Sequence, residues 1–350
     1  MPNLGRYPAL RGAGLALLAA VLFGVSTPLL QRAGAHAGPL TAAALLYAGA
    51  ALAGALLRQR IAHEAALHRR DWPRLAAMAF FGAAIGPVAL TWGLQRTSAT
   101  SASLMLTLEA LFTALLARLL YREIMDRRVW TALLLLLAGG GVLVVDAGAG
   151  GFVAASGLAA VLVATAAWGM DNALSRGLAE RDPGQVVLAK GTLGAVLTIS
   201  GAMALHESLP SPGVVAALLV IGATGYGLSL RLYLLAQRAF GAARTGSVFA
   251  FAPFIGTAAA MALGDRSPGT GTAVAGVLML AGVVLHLSES HAHEHDHEEL
   301  EHEHAHVHDD GHHDHLHAPM PAGPHSHRHR HEQGRHSHPH VPDVHHLHRH

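Results

Sequence analysis

The stretch LQRTSATSASLMLTLEALF, Leu94 to Phe112, returns 142 residues later as AQRAFGAARTGSVFAFAPF, Ala236 to Phe254, without a gap. Gln95 and Arg96 fall on Gln237 and Arg238, Ser103 on Thr245, Phe112 on Phe254 and, further on, Glu123 on Asp265. The correspondence covers Leu94–Asp146 against Ala236–Ser288, so the chain reads as an internal duplication before any motif is considered.

The medium of the duplicated unit follows from composition. Charged residues make up 13% of the chain and apolar residues 51%, with 39 glycines besides, whereas ordinary soluble domains carry about 25% charged residues. Ten apolar segments stand at 11–31, 38–57, 73–95, 99–118, 128–146, 154–176, 185–205, 213–237, 243–263 and 270–288. Each is near the roughly 17–25 residues a helix needs to cross the hydrocarbon. The expected fold is an all-α polytopic membrane protein: a cytoplasmic N-terminus (1–10), a first repeat of five helices (11–147), a second of five (153–288) and a tail (289–350). Arg6 and Arg11 before the first apolar run, with Ala33-Gly34-Ala35 after it, also allow a cleaved signal. Its removal would leave the two repeats unequal.

Loop charge sets the expected orientation. Fifteen arginines cluster near the segment ends on one side, against Arg32, Arg96 and Arg266 on the other. The positively charged side is the cytoplasmic one, so both termini are expected inside, in the cell (inner) membrane. Five crossings per repeat is an odd number, and the second copy is then inverted relative to the first. Inverted repeats typify alternating-access carriers, with the substrate near the midplane between the copies.

Ionisable groups inside an apolar run are costly and mark the bundle interior or a pathway. Glu109 is one, and helical spacing puts Ser101, Met105 and Thr113 on its face; its repeat mate is Phe251, so the symmetry breaks there. Asp171 and Asn172 are the next, with Trp168 one turn away, and Lys190 lies at a similar depth. An Asp171–Lys190 ion pair would neutralise two otherwise expensive charges. Thr27, beside Ser26 and just before the helix-bending Pro28, completes the expected pathway of Thr27, Met105, Glu109, Trp168, Asp171, Asn172 and Lys190. Glu123 and Asp265, repeat mates at the ends of the fourth and ninth segments, are expected at gates or contacts between the repeats. Gly82 with Gly86, and the run Gly139–Gly141, suit close helix packing.

Several chemistries are excluded. No cysteine occurs, which removes disulfides and thiolate ligands. His63-Glu64 and His68 resemble a zinc-protease helix, but the second histidine is five residues on, instead of four, and the two would diverge. There is no phosphate-binding glycine loop and no nucleophile elbow. The expectation is a non-enzyme with no required cofactor and no nucleic-acid partner. Its partners are the lipid bilayer and a small solute or metal ion, and assembly as a homodimer is left open.

The tail differs from all of this. Residues 289–350 hold four arginines and twelve acids, net −8, while 1–288 is net +9. From His291 onward stand 23 of the 28 histidines, many as His-x-His. With few large apolar residues the tail has nothing to bury and is expected to be disordered. Imidazole and carboxylate ligands suit Ni, Co, Zn or Cu(II), so His291, His293, His295, His297, His302, His304, His306, His308, His312, His313, His315 and His317 are the expected metal ligands.

Residues 11–288 resemble the EamA-type carriers of the drug/metabolite transporter superfamily. The resemblance rests on Phe23-Gly24-Val25-Ser26-Thr27-Pro28, on Leu94-Gln95-Arg96-Thr97-Ser98-Ala99 and on Tyr121-Arg122-Glu123. These return as Trp168-Gly169, Ala236-Gln237-Arg238-Ala239 and Gly264-Asp265. It implies ten helices, export of small solutes and gradient coupling. The chain departs from the pattern where the fourth helix usually carries a proline: Glu109, Ala110 and Leu111 stand there, while the second copy keeps Pro253. The expected function is therefore a secondary exporter. A Ni- or Co-like cation captured by the tail is the first substrate considered. An amino acid or metabolite, with the tail as metal buffer or sensor, is the alternative. A membrane-anchored metal sensor or reservoir that transports nothing is the reading from another class.

Overall fold

A computed structural model describes residues 8–58, 65–121, 125, 127–149, 151–178, 181–240, 242–265 and 269–287, with 291–297, 300–306, 325–331 and 334–340 of the tail. Among them nine helices are long and apolar enough to cross a membrane: α1 (Arg11–Ala33), α2 (Pro39–Leu56), α3 (Arg69–Leu94), α4 (Ala99–Leu120), α5 (Arg127–Gly148), α6 (Phe152–Ser175), α7 (Pro183–Ala204), α8 (Pro212–Gln237) and α9 (Arg244–Ala262). The tenth, α10 (Thr270–His286), is apolar but shorter.

Local chemistry starts the helices where the sequence breaks. Proline in the first turn of α2, α7 and α8 costs no hydrogen bond, because the first N–H groups of a helix have no internal acceptor. Ser98 Oγ accepts from Ser101 N at 3.0 Å at the start of α4, and Asp182 Oδ1 accepts from Gly184 N at 2.8 Å at the start of α7.

The helices pack backbone to backbone through glycine. A Cβ on Gly222 of α8 would sit 1.9 Å from Leu46 O of α2, and one on Gly191 of α7 would sit 2.8 Å from Ala51 N. Such closeness matters in lipid, where association rests on packing. Side chains such as Leu56, Leu119, Val145 and Phe152 stay largely exposed on the protein and face the hydrocarbon.

One hydrogen bond at each membrane face joins the two repeats. Leu40 N donates to Glu207 Oε1 at 3.2 Å at the face holding the α1–α2 turn, the His36 face. Asp182 N donates to Ala65 O at 2.8 Å at the opposite face, the Asp71 face.

Two expectations are corrected. The fourth segment is not one continuous helix but two pieces, Ala99–Met105 and Leu108–Tyr121. Thr107, Glu109 and Ala110 bond three residues back instead of four, and Thr107 Oγ1 also takes Leu104 O at 2.6 Å. The ninth breaks two residues later in the repeat register, between Ala242–Phe249 and Ala252–Ala262, where Pro253 has no N–H to give. Helices α3 and α8 are α-helical only toward their ends, because Ala79–Ile85 and Gly222–Leu228 are wider π turns, the second within one residue of where the repeat would put it. The described residues of the tail are β1 (His291–His297), β2 (Leu300–His306), β3 (His325–His331) and β4 (Gly334–His340). β1 pairs with β4 and β2 with β3, both antiparallel. Alternation at every second residue suits a strand, and the register sets acid against base at Glu301–Arg330, Glu303–Arg328 and Asp296–Arg335. A two-stranded ladder is marginal by itself in water.

Candidate functional site

The centre of the bundle is built around one carbonyl. Gly82 lies in the π turn of α3, and its C=O accepts both from Tyr47 Oη of α2 and from Trp168 Nε1 of α6, the latter at 2.9 Å. A π turn shifts the bonding partner of its carbonyls, and such turns recur at functional sites. Gly82 and Gly86 do more here than admit a neighbouring helix. A Cβ on Gly82 would meet Asp171 Cγ at 2.4 Å, and one on Gly86 would meet the Trp168 indole at 2.6 Å. The two glycines are the berth for one acid and one indole.

Asp171 Oδ2 is ion-paired with Lys190 Nζ, and both side chains are buried. The pair anticipated from their depth is formed. Asp171 Oδ1 is buried and has no hydrogen-bond partner among the described residues. One turn away, Asn172 Nδ2 donates to Glu109 Oε1, joining α6 to the second piece of α4. Two carboxylates, one ammonium and one amide thus converge from α4, α6 and α7.

Aromatic rings border the charged group. Phe23 of α1 lies 5.7 Å from Trp168, 5.9 Å from Tyr226 and 5.5 Å from Phe249, centroid to centroid. Tyr226, from the π turn of α8, is 5.7 Å from Tyr47, and Tyr233 is 5.0 Å from Phe249. Both repeats contribute to this lining, and their π turns supply Gly82 O on one side and the Tyr226 ring on the other.

Not every residue expected along the pathway is in this group. Met105 is fully buried in the apolar core, and Ser101 belongs to the cap of α4 with Ser98. The break at Leu106–Thr107 removes the regular turn that would have placed them on the face of Glu109. Thr27 is buried within α1, and Ser26 beside it donates to Phe23 O at 2.6 Å. Asp265 Oδ2 accepts from Thr100 N at 3.0 Å and Thr100 Oγ1 at 2.9 Å, a contact between the repeats. Its repeat mate Glu123 lies outside the described residues, as do His308, His312, His313, His315 and His317; of His291–His306 only the backbone is described.

Several side chains escaped the sequence reading. Tyr47, Tyr226, Tyr233 and Phe249 look like ordinary apolar filling in a linear chain. Glu207 looks like a loop acid, yet it takes Thr41 N at 2.7 Å and Thr41 Oγ1 at 2.8 Å in addition to Leu40 N.

Ten apolar helices among the described residues, in two repeated halves around a buried charged centre, define a polytopic helical membrane protein. The model of the EamA-like transporter family matches residues 10–145 and again 155–288, and the chain belongs to that family. An uncharacterised transporter of Methanothermobacter thermautotrophicus (strain Delta H) is 28% identical over 231 residues, spanning 63% of this chain and 66% of the relative. A solved protein crystal structure shares the fold at TM-score 0.55 and 20% identity, covering 78% of this chain and 94% of its own. Both family matches stop at or before residue 288, and the tail lies beyond them.

Proposed function

We propose that the protein exports a small amphoteric organic solute by alternating access, with its positive end at Glu109 and Asp171 and its apolar part against the aromatic lining. The observation that carries this reading is Asp171 Oδ1, unpartnered among the described residues, in a group of two carboxylates and one ammonium bordered by Phe23, Trp168 and Tyr226. A buried acceptor left open costs free energy that a ligand's donor recovers, and ring faces attract an organic cation. Lys190 serves a ligand carboxylate when the Asp171–Lys190 pair loosens. A bare divalent cation is served less well, since among the described residues no three His, Asp or Glu side chains gather as a metal cage. Loop arginines support placing the His36 face outside and both termini in the cytoplasm. Glu109→Gln tests the site: it keeps an acceptor for Asn172 but removes the charge. Flux of an amino-acid panel in proteoliposomes should fall to background while folding stability changes by about 1 kcal/mol or less; unchanged flux removes Glu109 from the pathway.

A second reading concerns the tail, which we propose binds divalent metal as a cytoplasmic buffer or sensor. The strand register favours it: His302 stands opposite His329, His304 opposite His327, His293 opposite His338 and His295 opposite His336. Opposed positions on a ladder lie about 4.5–5.5 Å apart at Cβ, a spacing from which two imidazoles reach one ion.

A further inference from the structure

Helices α4 and α9 touch in one half of the membrane and part in the other. Toward the His36 face, Ala99–Met105 packs on Ala252–Ala262, so closely that a Cβ on Gly256 would lie 3.3 Å from Ser103 Cβ. Toward the Asp71 face, Leu108–Tyr121 packs on α6, and Ala242–Phe249 packs on α1 and α8. The two breaks, two residues apart in the repeat register, stand where contact ends and divergence begins. Helices α2 and α7 behave differently. They are tied at the His36 face by Glu207, just past α7, on Thr41, while at the Asp71 face the start of α7 is tied to the segment before α3 by Asp182 N on Ala65 O and by Leu67 N on Gln185 Oε1 at 3.1 Å. Between these ties, Gly54 and Gly191 bring the two backbones into contact.

We propose that Asp265 is a positioning residue for transport: its carboxylate latches the outer halves of α4 and α9 together, and the latch opens by bending at the two breaks while α2 and α7 stay joined as the fixed axis. The chemistry suits a latch. One carboxylate oxygen holds both donors of Thr100, so a small displacement loses the two bonds together. A cleft of about 350 Å³, lined by Pro28, Gln31, Arg32, Ser98 and Asp265 among others, adjoins it. Water entering that cleft resolvates the carboxylate as the bonds lengthen, which lowers the barrier to opening. The latch has meaning only if the protein transports, and it therefore rests on the reading above.

The test exploits the absence of native cysteine. Ser103→Cys places one thiol at a fully buried position between the outer halves, to be reacted with a membrane-impermeant maleimide on intact cells. Labelling should be slow in that background and several-fold faster when Asp265→Ala or Thr100→Val is added. Glu207→Gln, on the fixed axis, should leave it slow. Equal rates in all backgrounds overturn the latch, as does an equal acceleration by Glu207→Gln. Ala164→Cys, fully buried on α6, serves as the folding reporter. If it gains reactivity alongside position 103, Asp265 holds the fold and not a gate, and the assignment falls. Labelling needs no substrate, so a failed flux assay bears on the proposed function and leaves this result standing.

Discussion

The Asp171–Lys190 pair shows how a single residue governs the centre. Each charge alone would be expensive in the bundle, and together they are tolerated because the ammonium and carboxylate meet in a berth made by Gly82. Removing one partner is therefore worse than removing both. Asp171→Asn should destabilise the protein by about 3–5 kcal/mol, the usual penalty for stranding a buried charge. Adding Lys190→Met should recover most of that loss while transport stays absent. Unfolding in detergent with a parallel flux measurement checks both, and a double variant no more stable than the single one would refute the account. Glu109 differs in kind, since its bond to Asn172 survives replacement by an amide.

At the scale of elements, the bundle depends on where glycine is needed and where it is incidental. Gly191 of α7 faces the backbone of α2, with Ala51 N, Ala51 Cα and Tyr47 O all within 3.0 Å of any added Cβ. Backbone cannot yield as a side chain does, so Gly191→Leu should cost at least the roughly 1–3 kcal/mol typical of overpacking. It should also lower the folded yield. Gly141 of α5 has nothing within 4 Å of the same position. Gly141→Ala should be neutral or stabilising by up to about 1 kcal/mol through helix propensity alone. Thermal unfolding of the two variants side by side decides whether α2 and α7 form the rigid pair that their backbone contacts at Gly54 and Gly191 indicate. The π turns of α3 and α8 belong to the same scale: both lie at mid-helix, and each delivers a group to the site.

At the scale of the whole molecule, composition divides the chain into an apolar, basic body and an acidic, histidine-rich tail. The family correspondence covers 10–145 and 155–288 and leaves the tail out. The tail's net charge of −8 is opposite to the body's. Deleting residues 289–350 should leave the thermal midpoint of the body unchanged and remove nearly all binding of Ni by titration calorimetry. Chelator treatment of the full chain should likewise leave the body folded. A body that loses stability on truncation, or that keeps its metal capacity, would show that the tail is not an independent module.

The duplication, the ten segments and the presence of buried charge were legible in the linear chain. They depend on composition, period and length, and a bilayer makes those quantities decisive, since every spanning segment must be apolar and helical. The residues Glu109, Asp171, Asn172 and Lys190 could be picked out for the same reason. Their partners could not. That Gly82 offers one carbonyl to Tyr47 and Trp168, that Phe23 and Tyr226 close the aromatic lining, and that Met105 leaves the site all depend on two π turns and a helix break. Each shifts side chains by a fraction of a turn, and no hydrophobic pattern records so small a rotation. Glu207 and Asp265 were visible as acids near segment ends. Only the packing of one repeat on the other gave them Thr41 and Thr100 to hold, because hydrogen bonds between inverted halves join residues some 165 positions apart.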